Sequence, residues 1–372
     1  MTRPLDIVFI GLTLSSSWGN GHATTYRALL GGLDALGHRV AFLERDVPWY
    51  ADSRDLVEPD FCELVYYRSV DELRRFRPRI RSADAVVIGS YVPDGRRVID
   101  CVAGMEPSLL AFYDIDTPVT LAGLERGEDK FIAAEQVPLF DLYLSFSGGK
   151  SLLRLEEDFG ARRARPLYCS VDSGSYAPTG EAFAWDLGYL GTYSEDRQPA
   201  LERLLIEPAR RLPERRFVVA GSCFPDGIEW PDNIERIEHL PPEDHASFYS
   251  RQRFTLNVTR SDMVEAGWSP SVRLFEAASC GTPIISDRWD GLDALFPDGE
   301  AILISDGGQE VVRALTGMSD KEREAMAAMA RRRVLAHHTG QKRAEELIGY
   351  FREIGERPRP AAGKPALKGA FA

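Results

Sequence analysis

Two charged side chains, Arg273 and Glu276, stand in an otherwise small and apolar helical stretch of the segment 269–287, SPSVRLFEAASCGTPIISD. A charge in such surroundings needs a partner or a ligand. Ser269 and Ser271 precede the predicted helix, where their hydroxyls can cap it, and a helix N-terminus favours an anion. A carboxylate one turn further along can accept the two adjacent hydroxyls of a ribose. The segment therefore predicts a nucleotide site, and the alternative is a structural ion pair between Arg273 and Glu276.

Two more arginines follow predicted strands in the same half of the chain. Arg197 comes shortly after a strand that ends at Gly191 and Thr192, and Arg260 ends another strand. Together with Arg273 they can converge on a diphosphate, which guanidinium groups bind through paired hydrogen bonds. The sequence therefore predicts a phosphate site built by these residues, although each arginine taken alone is typical of a solvated surface.

A glycine loop, Gly19-Asn20-Gly21, follows the first predicted strand and leads into His22. Small residues let a ligand approach the backbone at the start of the next helix. The loop is not the dinucleotide fingerprint, because Thr24 replaces its third glycine. A histidine at the end of a strand is suited to general-base catalysis near neutral pH. The alternatives are a simple tight turn and a helix-capping histidine.

The motif SGGKS, at residues 147–151, resembles the end of a phosphate-binding P-loop. The first glycine of that motif would fall on Leu144, inside a predicted strand, so the phosphate cradle cannot form. We therefore reject ATP hydrolysis and keep only the prediction of a basic residue that faces the interdomain cleft.

Asp114 and Asp116 lie at the end of a predicted parallel strand, in FYDIDTP. Two carboxylates spaced in this way could hold a divalent cation, but no third cluster of oxygen ligands is evident. Aspartate is also common as a turn cap before Thr-Pro. We favour an acceptor-binding or acid-base role for Asp116 and expect no metal.

Composition narrows the class of protein. The formal charge of −12 argues against wide binding of nucleic acid or anionic membranes. The five cysteines have no C-x-x-C spacing and indicate reduced thiols. No apolar run is long enough to span a membrane, and the N-terminus lacks a signal-peptide pattern, so we expect a cytoplasmic protein.

His337 and His338 are expected on the surface.

Buried-strand patterns alternate with helices in two successive halves, which predicts an α/β protein with two parallel, doubly wound sheets. We expect an N-terminal Rossmann-like domain at residues 1–172 and a second at 173–336. A C-terminal helix is expected at 337–355. Residues 356–372, rich in Pro, Ala, Gly and Lys, are expected to be a disordered tail.

The chain resembles the GT-B glycosyltransferases of group 1 (family 4-like), and most closely the CgeB-like spore-maturation glycosyltransferases. The resemblance rests on the segments GNGHATTYRALL, FYDIDTPVTLA, FDLYLSFSGG, WDLGYLGTYSEDRQP, FTLNVTR and SPSVRLFEAASCGTPIISD. It implies donor binding by the C-terminal domain, acceptor binding by the N-terminal domain, and a final helix that crosses back between them. Glu276 matches the glutamate that contacts the donor ribose, and Arg197 matches a basic position near the diphosphate. The first glutamate of the E-x7-E pattern is replaced by Trp268, and Glu265 has the wrong spacing to substitute for it.

We therefore predict transfer of a sugar from a UDP- or GDP-sugar to an unidentified glycan, protein or small-molecule acceptor, without a required cofactor. Catalysis by His22 as a base would invert the sugar, whereas the family pattern is retaining, so the stereochemistry stays open. One alternative is a nicotinamide-dependent oxidoreductase, with Glu44 as its ribose-binding acid. The other is a catalytically silent nucleotide-sugar-binding protein.

Overall fold

The computed structural model describes residues 3–17, 21–128 and 130–355, and it contains two parallel sheets. The first sheet has seven strands in the order β3-β2-β1-β4-β5-β6-β7. Its strands are β1 (Asp6–Gly11), β2 (Arg39–Arg45), β3 (Glu63–Tyr67), β4 (Ala85–Gly89), β5 (Leu110–Asp114), β6 (Leu142–Ser145) and β7 (Ala164–Pro166). The accompanying helices are α1 (His22–Ala35), α2 (Pro48–Ala51), α3 (Arg77–Ser82), α4 (Gly95–Ala103), α5 (Thr117–Glu125) and α6 (Lys150–Glu157), with 3-10 helices at Asp71–Phe76 and Ala134–Leu139.

The second sheet has six parallel strands in the order β10-β9-β8-β11-β12-β13. Its strands are β8 (Trp185–Leu190), β9 (Phe217–Ala220), β10 (Ile234–Ile237), β11 (Gln252–Asn257), β12 (Ile284–Ser286) and β13 (Leu303–Ile304). The helices are α7 (Gln198–Leu201), α8 (Glu207–Arg211), α9 (His245–Ser250), α10 (Ser261–Ala266), α11 (Val272–Ser279), α12 (Leu292–Leu295), α13 (Gly308–Gly317), α14 (Asp320–His337) and α15 (Gly340–Gly355), with a π-helical turn at Glu202–Ile206 and a 3-10 turn at Pro242–Asp244.

Both sheets are covered on their two faces, which explains the uninterrupted apolar strands. In β1, Val8 and Ile10 enter one core cluster, whereas Ile7 and Phe9 enter the cluster on the opposite face. Successive side chains of a strand point to opposite faces, so a strand covered on both sides must be apolar throughout. Both strand orders reverse at their first strand, as in a Rossmann fold. The predicted fold class is confirmed.

The last helix, α15, packs on α1 of the first sheet. Leu347, Ile348 and Phe351 join the same core cluster as β1. The two helices touch at glycines, since a Cβ atom at Gly32 would lie 2.4 Å from the Gly340 carbonyl oxygen. The close approach requires the absence of a side chain on both helices. The chain therefore returns to the first sheet after completing the second, as the resemblance implied.

The prediction that His338 is a surface residue was wrong. The imidazole is buried and stacks on Phe275, with ring centroids 4.4 Å apart, and its Nδ1 lies in hydrogen-bond contact with Arg343 Nη2. His337 is exposed, as expected. The expectation assumed a continuing helix, but α14 ends at His337, and the next residue turns inward. The predicted tail at 356–372, and Gly19 and Asn20 of the glycine loop, lie outside the described residues.

Candidate active site

On the first sheet, the ends of β4 and β5 bring two side chains into contact. Tyr91 follows β4 with a left-handed φ of 62° and donates a hydrogen bond from its hydroxyl to Asp116 Oδ2 at 2.9 Å. Burial raises the pKa of Asp116 above its usual value, and the Tyr91 hydrogen bond and the charge of Arg260 oppose that rise. The other oxygen, Asp116 Oδ1, is buried and has no hydrogen-bond partner among the described residues. Asp116 therefore keeps one acceptor atom available for a ligand.

His22 begins α1 beside the same tyrosine. Its ring meets the ring of Tyr91 edge to face, with centroids 5.4 Å apart. Burial lowers the pKa of His22 to about 4. The imidazole is therefore neutral near pH 7 and is a weaker base than an ordinary histidine. Gly21 precedes it as an exposed residue with no neighbour near its missing Cβ.

Asp114 has a different role from Asp116. It is fully buried and accepts hydrogen bonds from the hydroxyls of Tyr143 and Thr120, at 2.8 and 2.9 Å. It also accepts the backbone N–H of Asp116 at 3.2 Å. Burial raises the pKa of Asp114 to about 6. The carboxyl group is occupied by the protein itself and holds the turn that carries Asp116. Within the described ranges, no group of three or more His, Cys, Asp or Glu side chains could hold a metal ion.

On the second sheet, Glu276 is buried one turn into α11. Its Oε2 accepts a hydrogen bond from the Tyr249 hydroxyl at 3.2 Å. Burial raises its pKa, while the charge of His245 and then the hydrogen bonds from Tyr176 and Tyr249 act in the opposite direction. A contact ion pair with Arg273, the alternative, is not found among the described residues: Arg273 Nη1 donates to the Leu190 carbonyl at 3.2 Å, and the charge of Arg273 lowers the pKa of Glu276 only as a smaller effect. Burying a carboxylate costs free energy that few partners here offset, so Glu276 is a candidate for binding the hydroxyl groups of a ligand.

Three arginines gather at the carboxyl ends of β8 and β11. Burial lowers the pKa of Arg197, and the positive charges of Arg273 and Arg260 lower it further. Arg197 Nη2 donates to the Thr192 carbonyl at 2.7 Å. The Nε atoms of Arg197 and Arg273 are buried without a hydrogen-bond partner among the described residues. Mutually repelling guanidinium groups with unused donors form a site that an anion would complete.

Gly191 makes room for one of these arginines. A Cβ atom there would lie 2.8 Å from Arg273 Nη1 and 2.6 Å from the Tyr189 hydroxyl oxygen. A Cβ atom at the neighbouring Gly221 would lie 2.0 Å from the Gly191 carbonyl oxygen. The two strand ends are therefore packed backbone to backbone beneath the guanidinium group.

The predicted capping role of the two serines was wrong. Ser271 occupies the N-cap position of α11, but its hydroxyl donates to Asn257 Oδ1 at 2.9 Å instead of accepting from the helix. The Ser269 hydroxyl donates to the Gly267 carbonyl at 2.9 Å and lies 2.6 Å from the Ser147 hydroxyl oxygen. A polar side chain near a helix start can form its hydrogen bonds with residues of other elements instead, and the sequence does not show those partners. The backbone N–H groups at the start of α11 consequently lack a side-chain cap.

The SGGKS motif lies at the junction between the two sheets. Its glycines, Gly148 and Gly149, contact Trp268. Lys150 is exposed at the first position of α6. The glycines of the motif therefore leave space for the Trp268 indole, which the similarity to a P-loop did not predict.

Glu44, the candidate ribose-binding acid of the oxidoreductase alternative, is fully buried. Its carboxylate accepts the backbone N–H groups of Leu14 and Ser15 at 2.6 and 2.9 Å, and the Ser15 hydroxyl at 2.6 Å. The group fastens the loop after β1 and has no face turned toward a cofactor.

Sequence reasoning missed the tyrosines of the site, Tyr91, Tyr176 and Tyr249. Tyr91 could have been found from its position directly after a buried strand, where ligand-binding residues of parallel sheets gather. Tyr176 lies in the connector between the sheets and Tyr249 in α9, and neither has a local signal.

The described part of the chain contains no helix with the length and apolarity needed to cross a membrane.

The two sheets with α15 crossing back have the GT-B architecture. Sucrose-phosphate synthase from Thermosynechococcus elongatus superposes with a TM-score of 0.66 at 13% identity, over 95% of this chain and 99% of that protein. Anabaena HepE, in a complex with UDP-glucose, superposes with a TM-score of 0.62 at 10% identity, over 94% of this chain and 100% of that protein. These similarities establish the fold.

Sequence comparison covers part of the chain. Residues 197–349 match the family described as glycosyl transferase-like. The D-inositol 3-phosphate glycosyltransferase of Corynebacterium urealyticum is 27% identical over 205 residues, 48% of this chain and 46% of that protein. The same enzyme of Mycobacterium sp. (strain KMS) is 31% identical over 117 residues, 28% of this chain and 25% of that protein. The chain thus spans less than half the length of these curated relatives.

Proposed function

We propose that the protein transfers a sugar from a nucleoside diphosphate sugar, with UDP or GDP as the nucleotide, to an acceptor bound against the first sheet. The observation that carries the proposal is the buried Glu276 on the uncapped α11, together with Arg273 of the same helix, whose charge acts on Arg197 as that of Arg260 does. A carboxylate for ribose hydroxyls and guanidinium groups for two phosphates are the complements of such a donor.

In this proposal the bond between the anomeric carbon and the diphosphate oxygen breaks, and an acceptor hydroxyl oxygen forms the new bond to that carbon. The three arginines and the N–H groups of α11 stabilise the charge that develops on the leaving diphosphate. These groups carry the positive charge that the reaction needs, so we propose catalysis without a resident metal. Gly191 and Thr192 lie against the diphosphate.

We assign acceptor activation to Asp116. Burial raises the pKa of this carboxyl group, which makes it a stronger base than an ordinary aspartate. His22 has its pKa lowered to about 4 and is the weaker base, so we give it a contact with the acceptor. The acceptor class is a glycan, a protein or a small molecule that carries a hydroxyl group.

The oxidoreductase alternative is disfavoured by Glu44, whose carboxylate is already occupied by the loop after β1.

We place the nucleotide site in residues 173–336 and the acceptor site in residues 1–172. Membership of the CgeB-like group and a cytoplasmic location, in keeping with five free thiols, belong to the same proposal.

Calorimetric titration with UDP, GDP and NADH tests the proposal. We expect binding of UDP or GDP to the unaltered protein and no binding of NADH. Glu276→Ala removes two charge-assisted hydrogen bonds to the ribose, so it should weaken nucleotide binding by about 100-fold. Glu276→Gln keeps the side-chain volume and controls for packing.

Glu265→Ala is the matched control, because that glutamate is exposed on α10. It should leave nucleotide affinity unchanged. Nucleotide affinity that is equal in Glu276→Ala, Glu276→Gln and the unaltered protein would remove Glu276 from the site. Hydrolysis or transfer of the sugar by the purified protein would separate an enzyme from a silent nucleotide-sugar-binding protein.

A further inference from the structure

Trp268 adopts a backbone conformation that side chains rarely take. Its φ is 48°, and it follows Gly267, whose φ is 64°. The Trp268 N–H donates to the Asp290 carbonyl at 2.6 Å. A bulky residue in the left-handed region persists only where surrounding contacts hold it.

The indole lies between two glycines from different parts of the fold. A Cβ atom at Gly149, just before α6, would lie 2.5 Å from Trp268 Cδ1. A Cβ atom at Gly291, just before α12, would lie 2.3 Å from Trp268 Cδ2. Both positions exclude any larger residue while the indole is present. The first glycine belongs to the first-sheet half of the molecule and the second belongs to the second-sheet half.

The backbone around Trp268 is bonded across the same junction. The Gly148 N–H donates to the Trp268 carbonyl at 2.9 Å. The buried hydroxyl oxygens of Ser147 and Ser269 are 2.6 Å apart. The Cys169 thiol lies 3.3 Å from the Pro270 carbonyl oxygen. The segment 268–270 is therefore attached at three points to chain that follows β6 and β7.

We propose that Trp268 is a positioning residue: it acts as a wedge between the two halves of the molecule and fixes the donor helix α11 relative to the acceptor side. The inference rests on the proposed function and deepens it. Only three residues separate Trp268 from the start of α11, which carries Arg273 and Glu276. On the other side, β6 pairs with β5, whose last residue is Asp114. The wedge thus lies between the two groups of reacting residues.

Group transfer between two bound substrates requires that their reacting atoms be held at a defined separation. In this chain the tryptophan stands where the resemblance predicted a carboxylate near the donor sugar. Glycines lie on two sides of the indole, so its contacts are made with the protein. We therefore assign it to positioning and give the sugar contact to other residues.

The experiment compares Trp268→Ala, Trp268→Phe and Gly149→Ala with the unaltered protein. UDP affinity is measured by calorimetry, UDP release from UDP-glucose by a coupled assay, and the radius of gyration by small-angle X-ray scattering. For Trp268→Ala we expect kcat to fall by about tenfold or more while UDP affinity stays within about twofold, because nucleotide contacts and domain arrangement are separate. The radius of gyration should increase. Trp268→Phe should restore part of kcat, and Gly149→Ala should act like Trp268→Ala.

Gly180→Ala is the matched control, since Gly180 has a similarly left-handed φ of 74° but no atom near its missing Cβ. It should cost stability without changing kcat or the radius of gyration. Unchanged scattering and turnover in Trp268→Ala would overturn the inference, and so would a tenfold loss of UDP affinity without a change in scattering. Failure of the proposed function would appear differently, as absence of UDP and GDP binding by the unaltered protein, and the scattering comparison would still decide the role of Trp268.

Discussion

The hydroxyl of Tyr91 donates a hydrogen bond to Asp116 Oδ2 at 2.9 Å, and the same ring packs edge to face against the His22 ring, with centroids 5.4 Å apart. One residue thus joins the two side chains that the sequence had offered separately as catalytic. The left-handed φ of Tyr91 turns it toward both of them at the end of β4. The effect of the Tyr91 hydrogen bond on Asp116 can be measured as a change in the pKa of that carboxyl group.

Tyr91→Phe should move the acidic limb of the pH-rate profile to higher pH. The hydrogen bond from Tyr91 lowers the pKa of Asp116 against the effect of burial. Its removal raises that pKa further, so a higher pH is needed to keep Asp116 deprotonated. The rate of UDP release measured from pH 5 to pH 8 reports the shift. UDP affinity should stay unchanged, and an unmoved acidic limb would show that Asp116 does not act as the base.

Arg197→Met should stabilise the ligand-free protein. It should also greatly reduce the additional stability that the protein gains when UDP binds. The guanidinium group is partly buried, its Nε has no partner among the described residues, and two other arginines repel it. Replacing such a charge with an apolar side chain of similar length should raise the free energy of unfolding by about 1 kcal/mol. Urea unfolding with and without UDP measures both effects.

Arg211→Met provides the comparison for Arg197→Met, because Arg211 is exposed at the end of α8 in the same half of the molecule. It should leave the UDP-dependent stabilisation intact. A less stable Arg197→Met protein that still gains full stability from UDP would mean that Arg197 does not contact the phosphates.

His338→Asn should reduce the loss of stability in mild acid. Burial and the charge of Arg343 lower the pKa of His338 to about 3 in the folded protein, compared with its usual 6.5 when unfolded. Because only the unfolded chain takes up this proton between those values, stability falls as the pH drops below 6.5. The loss is about 1.4 kcal/mol for each pH unit from this group.

Urea unfolding at pH 7, 6 and 5 measures that slope for the unaltered protein, His338→Asn and His337→Asn. His337 is the exposed neighbour, so its replacement should keep the slope of the unaltered protein. A slope shared by all three proteins would show that His338 is not buried as a neutral group. His22 also has a lowered pKa, so some pH dependence should remain in His338→Asn.

Features that depend on neighbouring residues could be read from the sequence. The apolar strands and intervening helices predicted two doubly wound sheets, because a strand such as β1 must be apolar on both faces when helices cover both. The gathering of Arg197, Arg260 and Arg273 was predicted from their places at strand ends, since the carboxyl ends of parallel strands share one edge.

Features that depend on contacts between distant parts of the chain were not predictable in this way. The hydroxyls of Ser269 and Ser271 look like helix caps, but Ser147 and Asn257 claim them. Glu276 looks like a partner for Arg273, but Tyr249 and Tyr176 hold it. A hydrogen bond goes to the partner that the fold brings closest, and sequence spacing gives no information about partners from another element.

The sequence by itself determined the two sheets, their order of construction and the residue types of the site, because hydrophobic periodicity and strand ends are local properties. Only the tertiary structure decided that SGGKS makes room for Trp268, that Tyr91 connects His22 to Asp116, and that Glu44 is occupied. Each of these arrangements depends on the shape of the space between elements, and that space exists only once both elements have packed.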